Sequence, residues 1–210
     1  MNSTLIYVHD PMCSWCWGFE KVRQQLFANL AGQMNIRRLV GGLAIDSNET
    51  MPKDMQIFLQ ETWRNIESSI PGTEFNFAFW TDCKPRRSTY PSNRAVIAAR
   101  LQGENLDELM TTRIQQAYYE EARNPSDNSV LIELADDIGL NINTFAADLS
   151  SDKIQQLLLE EIRLTRSLGM SSFPSLVVDN DGNLTHIKLN YNRVDDLLEQ
   201  IHRSQTGERL

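Results

Sequence analysis

Two cysteines near the start of the chain, Cys13 and Cys16, are separated by only two residues. At that spacing two thiols can close a small disulfide ring, so the pair can exchange two electrons with another thiol or disulfide. The first cysteine is the expected nucleophile, because the free backbone N–H groups at the start of a helix favour a thiolate over a thiol. The spacing therefore predicts redox chemistry, provided that a helix begins here.

Half of a structural zinc site is the other chemistry that this spacing permits. Such a site needs two further cysteine or histidine ligands at a matched spacing. The remaining candidates are one cysteine, Cys83, and the widely separated His9, His186 and His202. We therefore favour a redox pair that requires neither a metal nor an organic cofactor, and we interpret Cys83 as a bystander thiol.

The cysteines lie between a predicted strand and a predicted helix. Residues 4–9 are mostly apolar, and Asp10–Pro11 ends this run. Beyond the cysteines a helix is predicted to end near Gly32, because apolar residues recur at steps of three and four at Phe19, Val22, Leu26 and Leu30. A second strand is predicted over residues 35–40. The chain thus opens with a strand, a helix and a strand.

The middle of the chain carries signals for helices and few for strands. Pro52 is placed to start a helix, Pro71–Gly72 to form a turn, and Pro91 to precede an alanine-rich helix. Apolar stripes predict further helices around residues 106–117, 130–138 and 154–162.

Strand character returns near the C-terminal end. Residues 175–178 and 184–189 are predicted to form a β-hairpin around the turn-forming residues 179–182. A last helix is predicted from residue 194 to about residue 202.

The order of these elements resembles the thioredoxin fold. Residues 10–19, which read Asp-Pro-Met-Cys-Ser-Trp-Cys-Trp-Gly-Phe, and the long helical block resemble the DsbA-like family of thiol:disulfide oxidoreductases, in its cytoplasmic branch of predicted protein disulfide isomerases. The resemblance spans nearly the whole chain and implies an α/β, thioredoxin-like fold with a large all-helical insertion. Residues 1–42 and 169–204 would form the thioredoxin-like domain, and residues 43–168 the insertion and its connecting helix.

The resemblance also implies roles for individual residues. Cys13 would be the nucleophile, Cys16 the resolving thiol, and Pro174 a cis proline that faces them. A proline at the first position of a strand is tolerated there. The N–H and C=O of Phe173 would then pair with an extended substrate chain, as in β-augmentation. Trp15 would add an apolar rim for the substrate.

Several side chains near the cysteines allow two interpretations. Trp17 either extends the apolar rim or anchors its helix in the core. His9 either raises the local positive potential or is a core histidine, and we favour the core. Lys84, Arg86 and Arg87 form a short basic patch, which we interpret as a solvated loop.

The predicted function is thiol:disulfide oxidoreductase or protein disulfide isomerase activity, by dithiol–disulfide exchange. Ser14–Trp15 replaces the Pro-His of the strongly oxidising periplasmic members, so we expect a milder oxidant, a reductase or an isomerase. The expected partners are protein or small-molecule disulfides and thiols, with glutathione or a thioredoxin-type protein as reductant.

Two alternative functions stay open. One is a glutathione-dependent enzyme of the kappa-class transferase and 2-hydroxychromene-2-carboxylate isomerase group, which carries serine near the position of Cys13; the other is a non-catalytic thioredoxin-like binding module.

Composition disfavours other classes of protein. The net charge of −8 argues against binding to nucleic acid or to an anionic membrane. The first residues lack a basic segment followed by a long apolar run, so we expect a cytoplasmic protein. Thiols stay reduced in that compartment, and the three cysteines are therefore not expected to form a structural disulfide framework.

Overall fold

The computed structural model describes residues 3–206, and within that range four strands form one sheet. They are β1 (Ser3–His9), β2 (Asn35–Val40), β3 (Ser175–Asn180) and β4 (Asn183–Ile187). Their order in the sheet is β2-β1-β3-β4, with β1 and β2 parallel and the other neighbours antiparallel. The parallel pair requires a crossover, which α1 (Ser14–Leu30) provides.

Helices make up most of the rest of the described chain. They are α2 (Lys53–Ser69), α3 (Phe79–Asp82), α4 (Tyr90–Arg100), α5 (Leu106–Tyr119), α6 (Asn128–Asp137), α7 (Ile142–Leu149), α8 (Asp152–Ser167) and α9 (Val194–Thr206). Between residues 3 and 206, none is both long enough and apolar enough to cross a membrane. The predicted α/β, thioredoxin-like fold with a helical insertion is confirmed. Its division at residues 42 and 168 stays a prediction.

Both faces of the sheet are covered, which explains the continuous apolar run of β1. Successive side chains of a strand point to opposite faces. Leu5 and Tyr7 pack in one cluster with side chains of α1 and α9, whereas Ile6 and Val8 pack with Leu164 near the end of α8. Helix α8 therefore connects the insertion to the sheet.

The insertion has a core of its own, in which α4 is central. Ala95, Ala98 and Ala99 are fully buried there, and α4 contacts α5, α6, α7 and α8. Small side chains let these helices approach closely. The sequence analysis missed α7 and the short α3, because helices of eight and four residues contain too few turns to show a clear apolar periodicity.

Asp10 joins the sheet to the insertion. Its buried carboxylate accepts hydrogen bonds from the N–H of Met12 at 2.9 Å and of Leu43 at 2.8 Å. It also accepts from the hydroxyl of Thr89 at 2.7 Å and the side-chain amide of Asn93 at 2.8 Å, both at the start of α4. Burial raises the pKa of the Asp10 carboxyl, and these hydrogen bonds oppose that rise. One carboxylate thus fixes the loop before the cysteines against two other segments.

His9 is a core histidine, as we favoured. Its ring stacks on Tyr7 with the centroids 5.0 Å apart and the planes only 2° from parallel. Burial, followed by the positive charges of Arg23 and Arg100, lowers the pKa of His9 to about 3. The ring is therefore neutral at neutral pH and adds no positive charge near the cysteines.

Asp10→Asn should destabilise the protein by about 1 to 3 kcal/mol, because asparagine has one acceptor oxygen where Asp10 uses both, and at least one buried donor loses its partner. The free energy of unfolding in urea measures this loss. Asp46→Asn is the matched control, since Asp46 is 51% exposed in its ion pair with Arg94 and should cost less than about 1 kcal/mol. Equal losses of unfolding free energy in the two variants would contradict the role of Asp10 in joining the sheet to the insertion.

His9→Phe should weaken the loss of stability on acidification. The unfolded chain protonates His9 below its ordinary pKa of 6.5, whereas the folded chain does so only near 3, so the unfolded state binds more protons between those values. The free energy of unfolding therefore decreases as the pH is lowered through that window. Between pH 7 and pH 5 the unaltered protein should lose about 2 kcal/mol more than the variant, which keeps a stacked ring. Urea titrations at both pH values measure the difference, and parallel losses would refute a neutral, buried His9.

Candidate active site

The two cysteines lie at the start of α1, the helix that the apolar pattern beyond them predicted. Cys13 is the N-cap residue and Cys16 lies in the first turn. The N–H of Cys13 donates to the carbonyl of Asp10 at 3.0 Å, and the N–H groups of Cys16 and Trp17 donate to the carbonyl of Cys13 at 2.9 and 3.1 Å. Both thiols are free. The pair therefore lies at the positive end of the helix dipole.

The two thiols differ in access to solvent. Cys13 is 7% exposed and lines a cavity, whereas Cys16 is fully buried. Burial, together with the neighbouring Cys13, raises the pKa of Cys16 well above its ordinary value. Cys16 therefore stays a protonated thiol at neutral pH, while Cys13 is the sulfur that a molecule in the cavity can meet.

The loop before β3 closes over Cys13. The Phe173–Pro174 peptide bond is cis, which confirms the sequence prediction. The thiol of Cys13 donates to the carbonyl of Phe173 at 3.3 Å, across 160 positions of sequence. A Cβ atom on Gly41 would lie 2.0 Å from the ring of Phe173, so any larger residue would displace this ring. Gly41 is thus a residue of the site that the sequence analysis did not predict.

A cavity of about 310 Å³ opens beside Cys13. Its apolar walls include side chains from both halves of the fold, namely Trp15, Leu43, Met51, Phe58, Leu59 and Phe173. Trp15 is 36% exposed and meets Tyr191 edge-on with the ring centroids 5.3 Å apart. An apolar cavity of this size accommodates a small molecule or a short stretch of chain.

Trp17 anchors α1 in the core, which resolves its two interpretations. Its ring stacks on Tyr119 at 5.6 Å, and its Nε1 donates to the carbonyl of Glu74 at 3.0 Å. Ser14 is anchored as well, because its hydroxyl accepts from Nε1 of the buried Trp63 at 2.9 Å. The sequence analysis missed this contact between α1 and α2, since no local pattern links residues 49 positions apart.

The basic patch is not a simple solvated loop. Lys84 is exposed as expected, but Arg86 and Arg87 are half-buried and line the cavity with Cys13, so that interpretation was wrong for both arginines. Cys83 follows α3, and its thiol donates to the carbonyl of Ala122 at 3.0 Å. Burial raises the pKa of Cys83. The structure places the two arginines in the same cavity lining as Cys13, whereas Cys83 packs against the aromatic cluster around Trp63.

Comparison with known proteins agrees with this architecture. A family profile described as thioredoxin matches residues 6–200. An inferred protein disulfide isomerase from Nitrosomonas europaea has a TM-score of 0.85 at 23% identity, with 100% of both chains covered. The cytosolic disulfide reductase DsbM from Pseudomonas aeruginosa has a TM-score of 0.77 at 24% identity, covering 97% of this chain and 98% of that one. DsbM has also been solved with GSH. At these identities the two likenesses show the fold.

A curated relative carries a different kind of name. The ClpXP adapter protein SpxH of Bacillus subtilis is 27% identical over 172 residues, which cover 81% of this chain. The chain spans only 56% of the length of that relative. The profile match over residues 6–200 shows that the chain belongs to the thioredoxin family, and the structural likenesses show that its fold is the DsbA-like one with a helical insertion.

Proposed function

We propose that this protein is a thiol:disulfide oxidoreductase that acts through Cys13 and Cys16. The observation that carries the proposal is the pairing of a thiol that lines a cavity, at the N-cap of α1, with a fully buried thiol in the first turn of that helix. A cysteine pair in this arrangement suits a reaction in two steps, in which one sulfur meets the substrate and the other meets only its partner.

In the reducing direction, the thiolate of Cys13 attacks one sulfur of a substrate disulfide. A new S–S bond forms, the substrate S–S bond breaks, and one half of the substrate leaves as a thiolate. Cys16 then attacks the sulfur of Cys13, and its proton passes to the departing thiolate. This step closes the Cys13–Cys16 disulfide and releases the second half, so two electrons pass from the protein to the substrate. The reverse sequence oxidises a dithiol substrate.

The loop before β3 and the rim of the cavity are the proposed substrate contacts. The backbone of Phe173 would pair with an extended chain on one side of the disulfide, and Pro174, which has no N–H, would leave that edge open. The exposed ring of Trp15 would cover the apolar part of the substrate. The GSH in the DsbM structure supports glutathione as a partner. The description of DsbM as cytosolic supports a cytoplasmic location for this protein.

The direction of exchange that we propose is reduction or isomerisation. Ser14–Trp15 between the cysteines differs from the dipeptide of the strongly oxidising members. The disulfide reductase among the structural relatives supports the same direction. A dithiol protein or glutathione would then return the cysteine pair to its reduced form.

Cys13→Ser and Cys16→Ser should separate the two steps. We expect Cys13→Ser to abolish insulin reduction, because no sulfur then attacks the substrate. Cys16→Ser should react once and accumulate a mixed disulfide, because the resolving thiol is missing. Turbidity of the insulin chains and mass spectrometry of the trapped complex measure both outcomes.

Cys83→Ser is the matched control for these variants, and it should keep full activity. Undiminished insulin reduction by Cys13→Ser would overturn the proposed roles. Saturable turnover of glutathione by Cys13→Ser would instead support the kappa-class alternative, whose members use a serine near this position.

A second candidate function is that of a protease adapter, and the name of the Bacillus subtilis relative favours it. An adapter needs a protein-binding surface and no redox chemistry. Sedimentation of the purified chain with ClpXP would measure binding in the unaltered protein and in the Cys13→Ser/Cys16→Ser double variant. Binding that persists in the double variant, without insulin reduction by the unaltered protein, would favour the adapter. We expect the unaltered protein to reduce insulin and the double variant to have lost this activity.

A further inference from the structure

Arg87 is a half-buried arginine that lines the same cavity as the candidate nucleophile Cys13. Its neighbour Arg86 binds the carboxylate of Asp127 at 2.6 Å and the carbonyl of Ser126 at 2.8 Å. Among the ion pairs formed within residues 3–206, none involves Arg87. The segment before α4 thus presents one neutralised guanidinium and one that the described residues leave unpaired.

The lining of the cavity gives Arg87 unusual surroundings for this protein. Acidic residues outnumber basic ones in the chain, 28 to 20. The side chains found to line the cavity nevertheless include two arginines and neither aspartate nor glutamate. Its remaining polar groups are small hydroxyls such as those of Ser171 and Ser172. Among the side chains that line this largely apolar cavity, Arg87 therefore carries the positive charge that no ion pair within residues 3–206 neutralises.

A guanidinium in such a place is a receptor for a planar anion. Arginine stays charged at any physiological pH, and its fork of N–H groups matches a carboxylate with two parallel hydrogen bonds. The apolar walls strengthen that interaction, because they exclude water from it. The charge of Arg87 also opposes the rise that burial causes in the pKa of Tyr118, which places this charge close to another wall of the cavity.

We propose that Arg87 binds a carboxylate of the substrate, and that the cysteine pair acts on small disulfides or thiols that carry such a group. This inference rests on the proposed exchange chemistry at Cys13. A cavity of about 310 Å³ accommodates one half of a small disulfide. With the carboxylate on Arg87, the disulfide is held beside Cys13, and attack no longer depends on a random encounter.

The proposed reaction balances without a cofactor. For 3,3′-dithiodipropionate, Cys13 bonds to one sulfur and the first 3-mercaptopropionate leaves. Cys16 then displaces the second from Cys13. One reduced protein thus yields two 3-mercaptopropionate molecules, and the protein ends with the Cys13–Cys16 disulfide.

A single-turnover experiment tests Arg87 directly. The reduced protein is mixed with 3,3′-dithiodipropionate or with bis(2-hydroxyethyl) disulfide, which is similar in length but uncharged. Acid quenching and mass spectrometry then give the rate of oxidation. The unaltered protein should react about tenfold faster with the anionic disulfide, and Arg87→Gln should lose about tenfold on that substrate only, because a hydrogen-bonded charge pair is lost.

Lys84→Gln is the matched control, since it removes an exposed positive charge from the same segment. It should leave both rates within about twofold, as expected for a solvated charge. Arg87→Lys should recover part of the anionic rate. With the unaltered protein, a buffer of higher ionic strength should slow only the reaction with the anionic disulfide. This measurement tests the charge of Arg87 even if Arg87→Gln does not fold.

The possible outcomes separate this inference from the proposed function. Equal slowing of both disulfides by Arg87→Gln would overturn the inference and leave the exchange chemistry standing, because Arg87 would then act through Cys13 or through the fold. If the unaltered protein oxidised with neither disulfide and did not reduce insulin, the proposed function would fail and the inference with it. Arg87→Gln could also slow insulin reduction as much as it slows reduction of the small anionic disulfide, while the unaltered protein shows no preference for that disulfide. This result would assign the carboxylate to protein substrates and overturn the proposed class of small substrates.

Discussion

The carboxylate of Asp10 is the interaction on which the rest of the site depends. A buried charge is stable only when its hydrogen bonds are satisfied, and the four donors that satisfy this one come from three segments of the chain. Three of these donor residues, Met12, Leu43 and Thr89, also line the cavity. The carbonyl of Asp10 holds the N–H of Cys13. The contact that joins the sheet to the insertion therefore also sets the distance between the cysteines and the cavity walls.

Other charges between the two halves are paired, which makes the state of Arg87 informative. Arg23 of α1 binds Glu20 and Glu108, and Arg38 of β2 binds Glu108 as well. These buried pairs compensate one another, because an uncompensated charge away from water is costly. An arginine that the described residues leave unpaired beside a cavity is thus a departure from the pattern of this fold. Such departures are typical of sites that bind a ligand.

The sequence predicted the elements whose signals are local. The apolar run of β1 follows from burial on both faces, and the helix that begins at the cysteines follows from the apolar residues that recur at steps of three and four beyond them. The place of Pro174 came from resemblance to a family. The features that the sequence missed depend on segments far apart in the chain: Ser14 with Trp63, the ring of Phe173 over Gly41, and Arg87 in the same cavity lining as Cys13. A basic patch has the same letters whether a wall or solvent faces it, so only the fold distinguishes the two.

The residues proposed to react and the residues proposed to select the substrate come from different parts of the fold. The cysteines and the loop before β3 come from the half that contains the sheet, whereas Phe58 and Arg87 come from the helical insertion. A fold shared at about one quarter identity fixes the first set of positions, because strand, helix and loop must meet to form the site at all. The insertion is not constrained in this way, since its side chains need only fill their own core and close the cavity. Its cavity-facing residues are therefore where proteins of this fold can differ in what the cavity binds while keeping the same positions of the cysteines.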